Sequence, residues 1–190
     1  RPVVASADDF TVRGGAADAA IHRKFVQCEQ MASTLKIPLI RMIDGTGGGG
    51  SVRTLEDIGA TYVPATPGWG EIVKNLETVP VVALALGPTA GLGAARVVAS
   101  HYSIMVKGLS QVFAAGPAVV EAIGEASDKE SLGGSAIHTC NGVVDEEVGS
   151  EAEAFAQARR FLSYLPSHVG QHAPRTANSD PTDRKEPGLI

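Results

Sequence analysis

The chain has 190 residues, of which 44% are hydrophobic and 19% are charged, a balance that predicts one globular domain with a substantial core. The formal net charge is −5 and no segment is rich in lysine or arginine, which argues against a surface for nucleic acid or anionic membranes. The longest apolar run, Val79 to Leu86, is far shorter than the roughly 20 residues that cross a bilayer. Two cysteines outside any CxxC spacing fit a reducing compartment better than a disulfide scaffold.

The first half of the chain alternates between extended and helical patterns. Val3 to Val12 is predicted to be extended, and apolar residues recur at every third or fourth position from Ala16 to Leu35, which predicts an amphipathic helix. Pro38 opens a short buried strand, "PLIRMI", that runs into a first glycine-rich turn, "DGTGGGGS". The stretch from Leu55 to Leu76 predicts two short helices, separated by a break at Pro64 to Gly70.

The second half contains the clearest strand. Val79 to Leu86 has no polar alternation, so it is predicted to be covered on both faces. A second glycine turn, "GPTAGLGAA", leads into a buried helix from Gly91 to Ser100. Short strands at "YSIMV" and "QVFAA" and a helix at "GPAVVEAIG" follow, and Ser150 to Leu165 is a helix opened by a capping box of Ser150 and Glu153. Strands alternating with helices predict an α/β fold.

The two glycine turns suggest a site that uses main-chain atoms. A buried strand that ends in a glycine turn before a helix presents unpaired N–H groups, which bind anions. A phosphate-binding loop would need a lysine that is missing here, whereas a dinucleotide fingerprint is matched literally by Gly45, Gly47 and Gly50 without an acid some 20 residues later. Flexible connecting turns and an oxyanion hole are the other two interpretations.

Few side chains compete with the glycines as functional groups. Asp44, at the end of a buried strand, is interpreted as an acceptor that fixes the turn rather than as a catalytic base. His138 is interpreted as a structural histidine rather than as an acid–base group. No metal-ligand spacing and no GxSxG nucleophile elbow occur in the sequence.

Six segments, in order and at matching spacing, resemble the β subunits of biotin-dependent carboxyltransferases of the propionyl-CoA, methylcrotonyl-CoA and acetyl-CoA carboxylase type. They are "DFTVRGG" (9–15), "PLIRMIDGTGGG" (38–49), "GPTAGLGAA" (87–95), "IMVKGLSQVFAAGPAVV" (104–120), "LGGSAIHTCNGVVD" (132–145) and "FLSYLPS" (161–167). The resemblance implies a crotonase-like (ClpP/crotonase) α/β fold built as a ββα superhelix. It also implies that residues 1–168 are the N-terminal carboxyltransferase domain, lacking its first part, and that residues 169–190 are a linker toward an absent C-terminal domain.

The activity implied by the resemblance is carboxyl transfer from carboxybiotin to the α-carbon of an acyl-CoA, or to the γ-carbon in methylcrotonyl-type substrates. Because the biotin supplies the base, the protein needs only main-chain donors for the enolate oxygen. By position, these donors are the N–H groups of Gly91 and Leu92. The acyl pocket would be lined by the turn of Gly47, Gly48 and Gly49, together with Ala90 and Gly93. Leu92 stands where the family often has glycine, which affects the width of this pocket.

The implied partners are acyl-CoA, a biotin carboxyl carrier domain, a biotin carboxylase subunit and the C-terminal carboxyltransferase domain, in a homo-oligomer expected to be hexameric. The implied location is the bacterial cytoplasm or the mitochondrial matrix. An acyl-CoA decarboxylase or an enoyl-CoA hydratase-like enzyme of the same fold, and a non-catalytic structural subunit, are the alternatives. Arg96 is unusual for this helix and is interpreted as an internal ion-pair partner or as a contact to the CoA phosphates.

Overall fold

The computed structural model describes residues 1–15, 22–45, 56, 59, 68–173, 175, 177–181 and 183–189. The described strands form a six-stranded sheet in the order β1-β2-β3-β4-β6, and β5 pairs with β3 beyond the end of β4. The pairs along this sheet are parallel. The strands are β1 (Val4–Ala7), β2 (Leu39–Gly45), β3 (Val81–Ala90), β4 (Tyr102–Val106), β5 (Gln111–Phe113) and β6 (Glu146–Val148). The described helices are α1 (His22–Leu35), α2 (Trp69–Thr78), α3 (Leu92–Val98), α4 (Pro117–Ala122), α5 (Lys129–Gly133), α6 (Ser135–Cys140) and α7 (Glu151–Ser163).

The central strand β3 is covered on both faces, as its apolar sequence predicts. Ala83 and Ala85 pack in one buried cluster with residues of α3, whereas Val82 and Leu84 pack in a second cluster with α7. Successive side chains of a strand point to opposite faces, so α3 and α7 lie on opposite sides of the sheet. Helix α1 packs on the α3 side, where Leu39 belongs to a third cluster. The sheet is therefore a middle layer between helices.

Strand β3 is four residues longer than the predicted end at Leu86, because the segment 87–90 continues the strand. Thr89 pairs with Gly45 of β2 and with Val112 of β5. Pro88, which cannot donate to a ladder, lies beside a register irregularity between Ile43 and Gly45, where it is tolerated. The predicted second glycine turn is thus confined to Gly91.

Several other predictions of elements can be compared with the structure. Helix α1 is described from His22, and the predicted start at Ala16 and the predicted helix at Leu55 and Ile58 lie outside the described residues. The short elements α5, α6 and β6 were not predicted, since none is long enough to establish an apolar period. The capping of α7 is confirmed, because Ser150 Oγ accepts a hydrogen bond from the Glu153 N–H at 3.2 Å.

Within the described ranges, no helix is both long and apolar enough to cross a membrane.

Candidate functional site

The carboxyl ends of β1, β2 and β3 meet at one edge of the parallel sheet, which is where open α/β sheets bind ligands. This edge brings together Asp8, which follows β1, Asp44 near the end of β2, and Gly91, which follows β3. The two glycine-rich segments singled out in the sequence therefore begin side by side in space, although about forty residues separate them in the chain.

Glycines at this edge allow unusually close packing. A Cβ on Gly15 would overlap the Asp44 carbonyl oxygen, and a Cβ on Gly45 would overlap the carbonyl oxygen of Gly14. On the neighbouring strand, a Cβ on Gly87 would overlap the Asp44 carboxylate. Gly87 is thus required by the carboxylate beside it rather than by a turn.

The Asp44 carboxylate lies in an environment that disfavours its charge. Burial is the largest effect, and repulsion from Asp8, Glu151 and Asp9 adds to it, so the pKa of the Asp44 carboxyl is raised above its ordinary value. Its Oδ1 is buried and has no hydrogen-bond partner among the described residues. The predicted role of Asp44 as a turn-fixing acceptor stays a prediction, because residues 46–50 lie outside the description.

The chain turns sharply at Gly91, between the end of β3 and the start of α3. Its φ of 58° and ψ of −121° belong to a region open to glycine and strained for other residues. The Gly91 N–H donates to the carbonyl oxygen of Phe113 in β5 at 3.1 Å, and its carbonyl accepts from the Ala95 N–H at 3.0 Å. The predicted donor at Gly91 is therefore engaged within the sheet in this structure.

Leu92 is the first residue of α3, so its N–H has no acceptor within the helix. Its side chain is half-buried, and Gly93 behind it is buried. Ala90, the last residue of β3, pairs with Phe113. Of the predicted pocket residues, Ala90 and Gly93 thus flank the Leu92 amide along the chain, whereas the turn of Gly47 to Gly49 lies outside the described residues.

Two buried arginines hold α3. Arg96 Nη1 donates to both carboxylate oxygens of Asp8, at 3.2 and 3.1 Å, and its guanidinium carbon lies 4.9 Å from the centroid of the Phe25 ring, a cation–π distance. These contacts support the interpretation of Arg96 as an internal ion-pair partner rather than as a contact to CoA phosphates.

Arg41, in β2, is fully buried and contacts the other end of α3. Its Nη1 donates to the carbonyl oxygens of Arg96 at 3.2 Å and of Ala99 at 2.5 Å, which are orphan acceptors at a helix C-terminus. Its Nε and Nη2 bind the two carboxylate oxygens of Glu29 at 2.6 and 2.9 Å, and Asn75 Nδ2 donates to the same carboxylate at 2.7 Å.

The group of Arg41, Glu29 and Asn75 was not predicted from the sequence. A signal was available, because a charged residue inside the buried run "PLIRMI" needs a partner of opposite charge. The choice of partner depends on the packing of α1 over β2, which the sequence pattern does not specify.

A cavity of about 160 Å³ lies beside the end of β1 and is lined in part by Asp8, Asp9, Lys24 and Phe25. Its volume is below the range of about 300–1,000 Å³ that is common for small-molecule sites. No three histidine, cysteine, aspartate or glutamate side chains of the described chain are grouped as metal ligands.

The comparisons with known proteins agree with one another. The family model described as "Carboxyl transferase domain" matches residues 1–190. The methylmalonyl-CoA decarboxylase subunit alpha of Veillonella parvula is 31% identical over 195 residues, which cover 100% of this chain and 36% of that subunit. The mitochondrial propionyl-CoA carboxylase beta chain of Sus scrofa is also 31% identical over 195 residues, which cover 100% of this chain and 34% of the beta chain.

Among solved structures, transcarboxylase 12S with methylmalonyl-CoA and methylmalonic acid bound is 28% identical and superimposes with a TM-score of 0.78, over 95% of this chain and 35% of that one. Such carboxyltransferase domains have the crotonase-like fold, so the predicted fold class is confirmed. The chain spans about a third of the length of these relatives. The six segments, the parallel sheet and the match over the whole sequence lead to one conclusion: the chain belongs to the carboxyl transferase domain family.

Proposed function

We propose that this chain is the acyl-CoA-binding part of a biotin-dependent acyl-CoA carboxyltransferase, and that the α3 N-terminal turn holds the thioester oxygen as it becomes negative. The observation that carries the proposal is the Gly91 turn, which ends β3 and leaves the Leu92 N–H at the first position of a helix. A main-chain donor of this kind stabilises an oxyanion, and removal of one donor typically costs about 3–4 kcal/mol of barrier.

We therefore propose one main-chain donor in place of the predicted pair of Gly91 and Leu92. Leu92 supplies its N–H, and Gly91 supplies the turn that aims it, because the Gly91 N–H donates to Phe113. β2 ends at this edge of the sheet, and we assign Gly47, Gly48 and Gly49, which come shortly after it in the sequence, to the acyl pocket together with Ala90 and Gly93.

The chemistry of these donors fits a reaction whose base comes from elsewhere. Main-chain N–H groups hold a negative oxygen but accept no proton, so this part of the chain orients the thioester without removing its α-proton. When bound, carboxybiotin supplies both the carboxyl group and the base.

The remaining parts of the assembly are proposals as well. The partners are a biotin carboxyl carrier domain, a biotin carboxylase subunit and a C-terminal carboxyltransferase domain, to which residues 169–190 form the linker. Transcarboxylase 12S is a hexamer, which supports a homo-oligomer of the same kind. Relatives from a bacterium and from mitochondria support a bacterial cytoplasmic or mitochondrial matrix location.

The test replaces Leu92 with proline in the complete polypeptide that carries this chain. Proline is favoured at the first position of a helix but has no N–H, so Leu92→Pro deletes the donor and keeps the helix. Leu92→Ala is the matched control, since it truncates the side chain and keeps the N–H. With carboxybiotin and an acyl-CoA, kcat should fall by about 10²–10³ in Leu92→Pro. The Leu92→Ala variant should retain most of its turnover, and equal turnover of the two variants would contradict the donor role.

A decarboxylase is the second candidate, because the relative from Veillonella parvula is the alpha subunit of a methylmalonyl-CoA decarboxylase. Both reactions require a stabilised thioester enolate, so Leu92→Pro does not separate them. Product analysis with the complete assembly does so. A carboxylase converts an acyl-CoA and carboxybiotin into the carboxylated CoA ester and free biotin, whereas a decarboxylase converts a methylmalonyl-type CoA into the decarboxylated ester and CO2. Binding of neither CoA ester would instead indicate a non-catalytic subunit.

A further inference from the structure

The Gly91 turn depends on β5, a strand of only three residues. β5 pairs with the last residues of β3, where Thr89 lies beside Val112 and Ala90 beside Phe113. The Phe113 carbonyl accepts the Gly91 N–H, so this bond fixes the peptide that immediately precedes the Leu92 amide. So short a strand is marginal by itself and needs a partner on its outer edge.

The outer edge of β5 is closed by the junction of α5 and α6 instead of by another strand. His138 Nε2 lies 2.6 Å from the Val112 carbonyl oxygen, the acceptor that a neighbouring strand would otherwise bind. Gly134 forms an antiparallel bridge with Gln111, and a Cβ on Gly133 would overlap the Val112 carbonyl oxygen. His138 thus supplies a side-chain donor where the sheet lacks a main-chain donor.

The His138 ring has no second hydrogen bond among the described residues. Since Nε2 faces a carbonyl oxygen, which only accepts, Nε2 carries a proton and donates this hydrogen bond. Nδ1 is buried without a partner in the described part of the chain. The main chain of His138 is also fixed, because its carbonyl accepts from the N–H groups of Val143 and Val144, each at 3.0 Å. Within the described part of the chain, the polar contact of the ring is therefore directed at β5.

We infer that His138 is a positioning residue for the donor at Leu92. His138 binds the Val112 carbonyl and so fixes β5. The Phe113 carbonyl in β5 accepts the Gly91 N–H and fixes that peptide, which sets the direction of the Leu92 N–H. The inference rests on the proposed function, because the amide at Leu92 is the group that is positioned. A misplacement of about 1 Å in a catalytic donor can cost about a hundredfold in rate, so a distant hydrogen bond is sufficient to affect turnover.

The experiment compares three variants of the complete polypeptide by site-resolved amide hydrogen exchange and by steady-state kinetics. His138→Gln keeps a side-chain N–H donor near the position of Nε2, whereas His138→Leu removes it. His101→Leu is the control: His101 also bonds main-chain groups, the Val81 N–H at 3.0 Å and the Leu76 carbonyl at 2.9 Å, but it does so at the opposite end of β3.

His138→Leu should speed exchange of the Gly91 amide by about tenfold beyond any change in global unfolding, the factor that corresponds to roughly 1.4 kcal/mol. It should also lower kcat by about tenfold or more while KM stays near the wild-type value. His138→Gln should restore both readouts, and His101→Leu should alter neither once its global stability is taken into account.

Equal exchange of the Gly91 amide in His138→Leu and His101→Leu would overturn the inference, as would equal kcat values in these two variants. The inference would also be overturned if His138→Gln matched His138→Leu in both the exchange rate of the Gly91 amide and kcat. The side-chain N–H donor would then not be the property that matters. Carboxyl transfer is measured first on the wild type. Its absence there would overturn the proposed function, while the exchange measurement would still decide whether His138 holds the turn.

Discussion

Replacement of Arg41 by methionine should strongly destabilise the protein, because it leaves a buried carboxylate without its counterion. Arg41 is fully buried, and Glu29 is 2% exposed. The two are joined by a bidentate pair of hydrogen bonds of 2.6 and 2.9 Å. In Arg41→Met, the contacts that Glu29 retains from the described residues come from Asn75, and the carbonyl oxygens at the C-terminus of α3 lose the Arg41 donor.

The magnitude follows from these contacts. Removing one partner of a buried ion pair costs about 3–5 kcal/mol, and each unsatisfied buried carbonyl adds about 1 kcal/mol or more. A typical domain is stable by about 5–15 kcal/mol, so Arg41→Met should approach the limit of folding. The double variant Glu29→Met with Arg41→Met removes both charges and leaves mainly the carbonyl losses, so it should cost roughly 2–3 kcal/mol, well below the sum of the two single costs.

The assay is urea unfolding of the wild type, the two single variants and the double variant, followed by the double-mutant cycle. A large favourable coupling between the two substitutions is expected. Additive single costs, or a cost below about 1 kcal/mol for Arg41→Met, would refute the argument that the buried charges depend on each other.

Three further predictions concern the glycine-rich edge. Gly87→Ala should cost about 1–3 kcal/mol, because its Cβ overlaps the Asp44 carboxylate, and Asp44→Ala in the same chain should recover much of this loss in urea unfolding. Gly91→Ala should cost about 1–3 kcal/mol, because alanine is strained at a φ of 58° and a ψ of −121°. Gly70→Ala, in open space on α2, should instead stabilise the protein by about 0.5–1 kcal/mol. Equal thermal shifts for Gly91→Ala and Gly70→Ala would contradict the claim that the backbone at Gly91 requires glycine. Folding raises the pKa of the Asp44 carboxyl above 3.8, so its contribution to stability is present below that pH and is lost as pH rises through the folded pKa. Asp44→Asn should remove this loss. In urea unfolding at several pH values, a difference in the free energy of unfolding between Asp44→Asn and the wild type that does not change with pH would contradict the prediction.

Several elements follow from local sequence because their residues determine them directly. The run of apolar residues in β3 predicts a strand with two covered faces, and Val82 and Ala83 are fully buried on opposite sides. The capping box at Ser150 likewise predicts the start of α7. Both signals depend on neighbours in the chain, and such signals are readable without a tertiary structure.

The end of β3 shows where local sequence is insufficient. Glycine at position 87 predicts a turn, yet the strand continues to Ala90 because β2 and β5 pair with it. Gly87 is needed to accommodate the carboxylate of Asp44, a residue far away in sequence. The same limitation applies to Gly91, whose N–H was predicted to be a free donor and instead donates to Phe113.

The sequence by itself determined the family and the α/β class, because these depend on apolar periodicity and on motifs of consecutive residues. Only the tertiary structure decided that Glu29 neutralises Arg41, that Asp8 neutralises Arg96 and that His138 completes the edge of β5. Each of these pairings joins residues far apart in the chain. Their energies depend on distance and burial in space, which the order of the residues does not specify.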